Sequence, residues 1–543
     1  MQVLLDKLSK REIQELIDPD LYEDIEEFLE KLYQDEVELF ETNKKASQIK
    51  ILLSLSQNPK LYAHGFWRDC LARCTEGEII ELEAHGIDLS LPDQKLVEEC
   101  LKFECTKYEL PYVEKIDNES LRAAVKIVNA PVSPFKALKD FQTKIFWEIV
   151  DQLKIPRNRF VVQMPTGSGK TRTAMEVVSH HFKSGSSKNV VWLAHSIDLV
   201  EQAASGFEEV WEHLGTHDIE VRIVDKSRDG LDGVGELPAL VISTLQSMGR
   251  FKKSDPAEFK IFAESCSLLV VDEAHMSAAP NYRASIESLL KHGSQLMGLT
   301  ATPGRDANAK ESNEALAALY FDKTVRLKSS DGGNVFAYLR KIDVMARTSM
   351  ELITGSEDSL SPAEIRRFEE DLQIPKSVMD RLASQDQRNL EIIAKVIQLV
   401  KSNIDRKIIL FACSVKHSKF LTAILKFKGI KAAHVDGDTS PLNRQKITND
   451  FRSGELNVLT NYGVLATGFD APKTDVVFIA RPTHSIVLYS QIIGRGLRGP
   501  AIGGTEKCLI VNIADNLIGL PDHNDIYEYF DDYYVQRVER DFS

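Results

Sequence analysis

The 543-residue chain has no long apolar run. No stretch approaches the roughly 18 consecutive apolar residues that a membrane-spanning helix needs. Its amino terminus, MQVLLDKLSKREIQELI, lacks the basic flank and apolar block of a secretory signal. Internal repeats of solenoid length and low-complexity tracts are also missing. These absences predict a globular protein that acts in the cytoplasm, or in the nucleus of a eukaryotic cell, without a membrane partner.

Cysteine is scarce, with seven residues in the chain. This number does not suggest a disulfide framework, which fits a reducing compartment. Four of the seven lie near the amino terminus, where Cys70 and Cys74 are four positions apart and Cys100 and Cys105 are five apart. Both spacings are wider than the CxxC pairs of zinc sites. Buried reduced thiols are therefore favoured over a metal site, which stays open as the alternative.

The chain also lacks an excess of basic residues, because its formal net charge is −14. The acidity is unevenly distributed: residues 1–130 hold 28 Asp and Glu against 16 Lys and Arg, which leaves 53 and 51 in the other 413 residues. A nearly neutral core still binds phosphates through a few basic groups in a cleft. Such binding is expected to weaken strongly with salt.

The acidic amino-terminal region has a helical pattern. Apolar residues recur at helical intervals among glutamates over residues 21–40, and a more apolar helical segment follows at 47–56. We therefore predict a mostly α-helical acidic domain over residues 1–134. Three interpretations stay open for it: docking of a basic protein partner on residues 1–130, cover of a nucleic-acid cleft as a mimic of DNA, or a solvated surface.

Residues 164–171, MPTGSGKT, have the composition of a phosphate-binding loop. The glycines let backbone amides turn toward an anion, Lys170 reaches the terminal phosphates, and Thr171 can hold magnesium. Met164 departs from the usual pattern, which has glycine there. An apolar β-branched run before the loop and a helical pattern after it supply the strand–loop–helix context. The predicted nucleotide-binding residues of the loop are Pro165, Thr166, Gly167, Ser168, Gly169, Lys170 and Thr171.

A second motif, VVDEAH, places two carboxylates at the end of a buried strand. The strand is predicted over residues 268–271, and Asp272 and Glu273 follow it. Parallel sheets present ligand-binding residues at this edge. Asp272 is suited to hold magnesium, and Glu273 to orient the water that attacks a phosphoryl group. Two ordinary surface carboxylates are the simpler alternative, but the phosphate loop upstream argues against it.

A third motif, QIIGRGLR, carries two arginines near the end of the chain. We predict that Gln491, Arg495 and Arg498 lie on one face of a helix, since they have i, i+4 and i+7 spacing. The two arginines are then either a solvated stripe or a pair that reaches across a cleft to a γ-phosphate, as an arginine finger does.

With TATP at residues 300–303, these motifs resemble the superfamily 2 helicases and translocases of the DEAH-box type. The chain looks most similar to the motor subunits of type I and type III restriction enzymes and to repair-type DNA helicases. The resemblance covers about residues 135–515. It implies an α/β fold with two tandem RecA-like parallel-sheet domains, preceded by the acidic helical domain. The implied boundaries are 135–325 for the ATP-binding domain, 326–515 for the carboxyl-terminal helicase domain with an insertion near 349–384, and 516–543 for an acidic aromatic tail.

The resemblance also implies roles for single residues. Gln142, in LKDFQ, would read the adenine, while Gly468 and Asp470, in NYGVLATGFDAP, would lie near the nucleotide. Coupling between ATP and nucleic acid would run through His275, Thr300 and Thr302. The catalytic set would comprise Lys170, Asp272, Glu273, Gln491, Arg495 and Arg498. The nucleic-acid contacts would come from His195, Thr244, Gln246, Ser414 and Thr460.

The resemblance implies ATP hydrolysis with Mg²⁺ as cofactor and nucleic acid as partner, with DNA favoured over RNA. The motor would serve DNA repair, restriction or phage defence. A different class also fits: a nucleic-acid-stimulated ATPase sensor that gates a protein partner through its acidic domain without separating strands. No persuasive nuclease signature accompanies the motor motifs, so a restriction or defence system would need a separate effector.

Overall fold

A computed structural model of the chain describes most of the sequence. No helix among the described residues is both long and apolar enough to cross a membrane. The described residues are 4–16, 18–32, 44–55, 61, 64–108, 110, 125–128, 137–184, 189–225, 238–290, 292–304, 310–329, 333–355, 361, 363–364, 374–465, 471, 473–482 and 485–514.

The described amino-terminal residues up to 110 are predominantly helical. The predicted 21–40 helix begins at Pro19 and is described as far as Leu32, and residues 33–43 lie outside the described part. Thr75 and Glu78 form a reciprocal capping box. After a 3₁₀ turn at Leu4–Lys7, the helices are α1 (Lys10–Glu15), α2 (Pro19–Leu32), α3 (Lys44–Ser54), α4 (His64–Ala72), α5 (Glu76–Ala84) and α6 (Asp93–Lys107).

The first sheet has eight strands in the order β1-β4-β5-β3-β6-β7-β2-β8. All pairings are parallel except that of β1 with β4, which is antiparallel. Its central strands are continuous apolar runs because helices cover both faces. The strands are β1 (Val125–Val128), β2 (Arg159–Gln163), β3 (Asn189–Ala194), β4 (Ile219–Val224), β5 (Ala239–Thr244), β6 (Cys266–Asp272), β7 (Gln295–Thr300) and β8 (Thr324–Arg326).

The helices of this part follow the strands in alternation, and a 3₁₀ helix at Ala274–Ala278 follows β6. They are α7 (Asp140–Leu153), α8 (Lys170–Lys183), α9 (Ile197–Leu214), α10 (Leu245–Ser254), α11 (Pro256–Ser265), α12 (Pro280–Leu290), α13 (Lys310–Leu319) and α14 (Val335–Lys341).

The second sheet has six strands, all parallel, in the order β11-β12-β10-β13-β14-β9. The predicted fold class with two parallel sheets is confirmed. The strands are β9 (Arg347–Thr354), β10 (Ile408–Phe411), β11 (Ala432–Val435), β12 (Val458–Asn461), β13 (Val476–Ile479) and β14 (Lys507–Ala514). The helices are α15 (Lys376–Ala383), α16 (Asp386–Ser402), α17 (Val415–Phe427), α18 (Pro441–Ser453) and α19 (Ile486–Ile493), followed by a 3₁₀ turn at Pro500–Ile502.

The predicted insertion at 349–384 is wrong at its start, because its first residues form strand β9. Eight residues, 347–354, pair in register with β14, so the start of the predicted insertion belongs to the sheet itself. The sequence concealed this strand because it lies at the sheet edge, where Met350 and Leu352 are exposed and polar residues alternate with them. Of the remainder, residues 374–384 are described throughout and contain α15.

The amino-terminal helices share a hydrophobic core with the second sheet. Phe28 of α2 meets Phe420 of α17 edge-to-face at 5.2 Å between ring centroids. Beside it, Lys416 pairs with Asp24 at 2.8 Å, and the Lys50 ammonium of α3 lies 4.6 Å from the ring centroid of Phe427. Buried residues of both parts belong to one contiguous cluster. The acidic helices are therefore built onto the second RecA-like unit rather than tethered beside it.

Glu104 of α6 is a buried carboxylate whose ionisation opposes folding of this region. Its Oε1 accepts a hydrogen bond from the Leu5 amide, whereas Oε2 has no hydrogen-bond partner among the described residues. Burial raises the pKa of Glu104 to about 7. Because the folded pKa exceeds the unfolded one, the folded state binds more protons between about pH 4.5 and 7, and stability falls as pH rises through that window.

We therefore expect Glu104→Gln to stabilise the protein at about pH 8, by about 1–3 kcal/mol, and to have much less effect at about pH 5. Urea unfolding at both pH values measures this difference. The exposed Glu83, changed to Gln, is the matched control and should shift the unfolding midpoint little at either pH. An equal effect of Glu104→Gln at both pH values would contradict the assignment.

Candidate nucleotide and nucleic-acid site

The phosphate loop joins β2 to α8 and uses glycine where the backbone turns. Gly167 and Gly169 have φ angles of 83° and 86°, the left-handed region that favours glycine. Gly169 precedes the first residue of α8, so its helix amino terminus points into the loop. A side chain at Gly169 would also collide with Gln142, whose Oε1 accepts the Lys139 amide. Gln142 thus lies against the loop, where an adenine-reading residue is expected.

Lys170 links the loop to both carboxylates of the second motif. Its Nζ lies 3.4 Å from Glu273 Oε1 and 3.8 Å from Asp272 Oδ1. Burial raises the pKa of the Asp272 carboxyl, and Lys170 only partly opposes this. Burial acts in the same direction on Glu273, but Lys170, His275 and other cationic groups outweigh it and lower the pKa of that carboxyl. Glu273 is therefore held ionised.

The backbone at Glu273 is in a conformation that non-glycine residues rarely adopt. Its φ and ψ are 52° and 56°, and its amide donates to Asp272 Oδ1 at 2.9 Å. Such a conformation costs of order 1–3 kcal/mol and persists where the surroundings hold it. It turns Glu273 out of the strand direction and toward Lys170.

These groups fit a magnesium nucleotide. The loop supplies backbone amides and a lysine for phosphates, while the Thr171 hydroxyl and the Asp272 carboxylate are the oxygen ligands that Mg²⁺ prefers. Asp272 is buried, and Lys170 compensates its negative charge only in part. A divalent cation would supply the missing positive charge. Bound there, magnesium would neutralise charge on the phosphates.

The predicted helix over Gln491, Arg495 and Arg498 is wrong beyond its first turn. Helix α19 ends at Ile493, and the chain continues as turns until Arg498, which forms a bridge with Met345. Arg495 and Arg498 therefore lie beyond the helix.

Two glycine contacts locate this approach. A Cβ on Gly494 would collide with the Thr166 side chain, and one on Gly167 would lie 3.4 Å from Arg498 Cγ. The second sheet's unit therefore delivers its arginines onto the first unit's phosphate loop by close backbone approach rather than along a helical face.

Arg495 and Arg498 are both largely buried in this junction. Arg495 donates through Nε to the Gln491 carbonyl at 3.3 Å. Burial lowers the pKa of each guanidinium to about 10, and the nearby Glu273 opposes this for Arg495. Both remain cationic at neutral pH. The junction therefore gathers three cationic groups, Lys170, Arg495 and Arg498, around the loop.

A hydrogen-bonded chain connects the two units beside this junction. Gln491 Nε2 lies 3.5 Å from His275 Nε2, and His275 Nδ1 lies 3.3 Å from Thr300 Oγ1. Thr300 Oγ1 in turn donates to the Thr302 carbonyl at 2.8 Å. The same imidazole is 3.4 Å from Glu273 Oε2. The residues predicted to couple the two activities thus contact one another and the second unit.

Of the five residues predicted to contact nucleic acid, Thr460 does not fit that role. It is fully buried, and its hydroxyl lies 2.9 Å from Ser418 Oγ, so β12 packs it inside the second unit. Thr244 is also buried, and its hydroxyl caps α10 by accepting the Ser247 amide.

The other three predicted contacts are more accessible. Gln246 is exposed and donates to the Tyr282 hydroxyl at 2.7 Å. Ser414 is half-buried and caps α17. Burial lowers the pKa of the His195 imidazole, against the nearby carboxylates of Glu273 and Asp198. His195 thus lies close to the Glu273 carboxylate, beyond the end of β3.

Two residues that were predicted to lie near the nucleotide, Gly468 and Asp470, are outside the described part of the chain.

The amino-terminal cysteines were considered above as possible metal ligands. Burial raises the pKa of Cys70 and of Cys100 to about 12 and that of Cys105 to about 11, which keeps these thiols protonated. Within the described ranges, no group of three or more His, Cys, Asp or Glu is placed to hold a metal.

Two contacts escaped sequence reasoning. Asp198, at the start of α9, pairs with Arg444 of α18, which joins the two units away from the phosphate loop. The guanidinium of Arg481 lies 4.8 Å from the ring centroid of Tyr462. Tyr462 directly follows β12 and Arg481 follows β13 after one residue, so the rule that ligand residues lie at carboxyl strand ends was the available signal.

Two RecA-like units that complete one nucleotide site define a helicase-type ATPase module. In agreement, the sequence matches the family "Type III restriction enzyme, res subunit" over residues 135–305 and the family "Helicase conserved C-terminal domain" over 390–499. The chain therefore carries both domains of a helicase motor, and the resemblance to superfamily 2 helicases and translocases that its motifs indicated is confirmed.

The chain is also similar, at low sequence identity, to individual helicases and restriction enzyme subunits. The chain is 25% identical to the "Putative ATP-dependent helicase IRC3" of Saccharomyces cerevisiae, over 70% of this chain and 51% of the yeast protein. It is 24% identical to the "Type I restriction enzyme EcoAI endonuclease subunit" of Escherichia coli, over 79% of this chain and 51% of that subunit. It thus matches about half the length of each. The helicase MrfA bound to DNA and AMPPNP shares the fold, with 17% identity, a TM-score of 0.50, and coverage of 76% of this chain and 55% of MrfA.

Proposed function

We propose that the chain is an ATP-dependent nucleic-acid helicase or translocase, with DNA favoured over RNA. The observation that carries this is the junction of Gly494 and Arg498 with the phosphate loop, because one nucleotide site is then built from both units. When the nucleotide binds, the two units therefore close on each other. Release of the γ-phosphate removes the anion that Lys170, Arg495 and Arg498 jointly hold, and the units can separate.

The roles of single residues follow from this geometry. Gln142 positions the adenine, Glu273 orients the attacking water, and the two arginines stabilise charge on the transferring group. His275 and Thr300 transmit the change toward the segments predicted to hold nucleic acid, around residues 193–202 and 243–248 on one unit and 410–418 and 461–472 on the other. Alternating grip by these segments would move the protein along one strand.

Stimulation of ATP hydrolysis by nucleic acid tests this function. We expect the purified protein to hydrolyse ATP slowly alone and several-fold faster with single-stranded or duplex DNA, with RNA less effective, and the stimulation to decline as salt rises. Lys170→Ala should abolish turnover because it removes the cation that reaches the phosphates, and it also controls for contaminating ATPases. A rate that no DNA or RNA alters would place the protein in a different class.

The biological setting follows less directly. The similarity to a type I restriction enzyme subunit supports the proposal of a restriction motor. Phage defence, DNA repair and action in the cytoplasm are proposals that rest on the resemblance of the motifs. An effector would then be a separate protein. Co-purification from the native host identifies such a partner, and recovery of the protein alone, at native concentration, would count against it.

A sensor is the second candidate, and the shared core supports it. Because α2 and α3 pack on α17, the acidic helices move with the second unit when the cleft closes. A partner docked on residues 1–130 would therefore detect nucleotide state without strand separation. Strand displacement on a forked duplex distinguishes a sensor from a helicase: a helicase separates the fork with ATP, whereas a sensor leaves it intact.

A further inference from the structure

A large cleft opens at the carboxyl edge of the second sheet. Its volume is about 1240 Å³, above the roughly 300–1,000 Å³ of a small-molecule pocket. The segments that follow β10 and β13 form its floor, and the chain leaves these two neighbouring strands in opposite directions. Ligands of open parallel sheets bind at such a switch point.

His417 anchors the floor of the cleft. It is buried, its Nδ1 accepts the Cys413 amide at 3.2 Å, and its Nε2 lies 3.0 Å from Asn389 Oδ1. Burial lowers the pKa of His417 to about 3, so the ring stays uncharged. The two cations of the floor are already engaged, Lys416 with the Asp24 carboxylate and Arg481 with the Tyr462 ring.

The opposite wall comes from elements outside the two matched family regions. Helices α2 and α15 line the cleft with Asp24, Glu27 and Asp380, and Asp386 begins α16 beside them. Lys376 of α15 is the cation of this wall, and Asp24 is paired with Lys416 of the floor. A sugar-phosphate chain is repelled from a wall with an excess of carboxylates. An uncharged nucleobase is not, and its amino groups can donate to carboxylates.

An exposed aromatic side chain also lines the cleft. Tyr462 lines the cleft with 37% of its surface exposed, while the guanidinium of the largely buried Arg481 lies 4.8 Å from its ring centroid. Arg481 supports the ring from one side by a cation–π contact. A ring held in this way keeps its orientation and can stack a base at little entropic cost.

We propose that this cleft receives a nucleobase of the bound strand, which stacks on Tyr462, while the phosphates remain at the cleft mouth. The inference rests on the proposed function, since it presupposes a bound nucleic acid. It assigns the amino-terminal domain a direct part in the binding site: α2 forms the acidic wall that admits bases and keeps the backbone out.

A comparison of intact with abasic strands tests the platform. Wild-type protein is titrated with a fluorescent single-stranded oligonucleotide of mixed sequence and with a strand of equal length made wholly of abasic sugar-phosphate units. We expect wild type to prefer the intact strand and Tyr462→Ala to lose about 5- to 150-fold in affinity for it, the equivalent of about 1–3 kcal/mol for one stacked base. Affinity for the abasic strand should not change.

Two variants control this result. Tyr462→Phe keeps the ring and should bind within about twofold of wild type, because stacking does not need the hydroxyl. Phe321→Ala removes another exposed ring, which Arg159 covers at 4.8 Å on the first unit, and should leave the preference for intact strands unchanged.

The outcomes separate this inference from the function beneath it. Equal losses on intact and abasic strands, or no loss in Tyr462→Ala, would overturn the base platform while leaving the motor function in place. A wild-type protein that binds the two strands equally well would do the same without any variant. Failure of wild type to bind either strand would overturn the proposed function itself.

Discussion

Glu273→Gln is expected to lower the ATP turnover number by about 10²–10⁴-fold while nucleotide binding is retained, the range for loss of a positioned base. The amide keeps the shape of the side chain but cannot accept a proton or carry charge. The neighbouring residues keep the Glu273 carboxylate negatively charged. Lys170 Nζ lies 3.4 Å from its Oε1, and cationic neighbours keep the pKa of Glu273 low despite burial. Single-turnover hydrolysis and fluorescent-nucleotide binding measure the two effects separately.

The exposed Glu287, changed to Gln, is the matched control for charge. It pairs with Arg283 on the outside of α12 and should leave turnover within about twofold, as expected for a surface ion pair. Loss of nucleotide binding in Glu273→Gln would show instead that the carboxylate mainly organises Lys170. Normal turnover would remove the proposed role in orienting water.

The position of Glu273 shows how far sequence reasoning reaches. The apolar run before Asp272 predicted a strand, and the edge rule for parallel sheets correctly placed both carboxylates at its end. The left-handed backbone at Glu273 was not predictable from side-chain type, because it depends on contacts with Lys170 and His275 that are distant in sequence.

The errors have the same origin. Spacing predicted a helix through Arg498, but the helix ends at Ile493, before the turns that approach the other unit's loop. Family position suggested that Thr460 contacts nucleic acid, but its hydroxyl is enclosed by α17. Local patterns determine which elements form. Tertiary packing decides which of their residues meet across the two units. The helical or strand periodicity of a single sequence does not reveal these contacts.

Arg495→Ala is expected to lower the turnover number by about 10³-fold or more, with a smaller change in nucleotide affinity. An arginine that acts across an interface on a transferring phosphoryl group contributes about 10³–10⁵ in rate. Arg495 is suited to this because it is half-buried, remains cationic, and lies near Glu273 although it belongs to the other unit. Arg495→Lys should recover little, since an ammonium cannot reproduce the planar fork of donors.

Arg283→Ala, which removes an exposed arginine from α12, is the control and should leave hydrolysis unchanged. The decisive measurement compares Arg495→Ala with Glu273→Gln in the double variant. If both groups act on the same transition state, the double loss is much smaller than the product of the single losses, as for residues that work as a unit. Fully multiplicative losses would mean that Arg495 acts on closure of the cleft rather than on the chemistry, and the arginine-finger role would then pass to Arg498, which lies against Gly167.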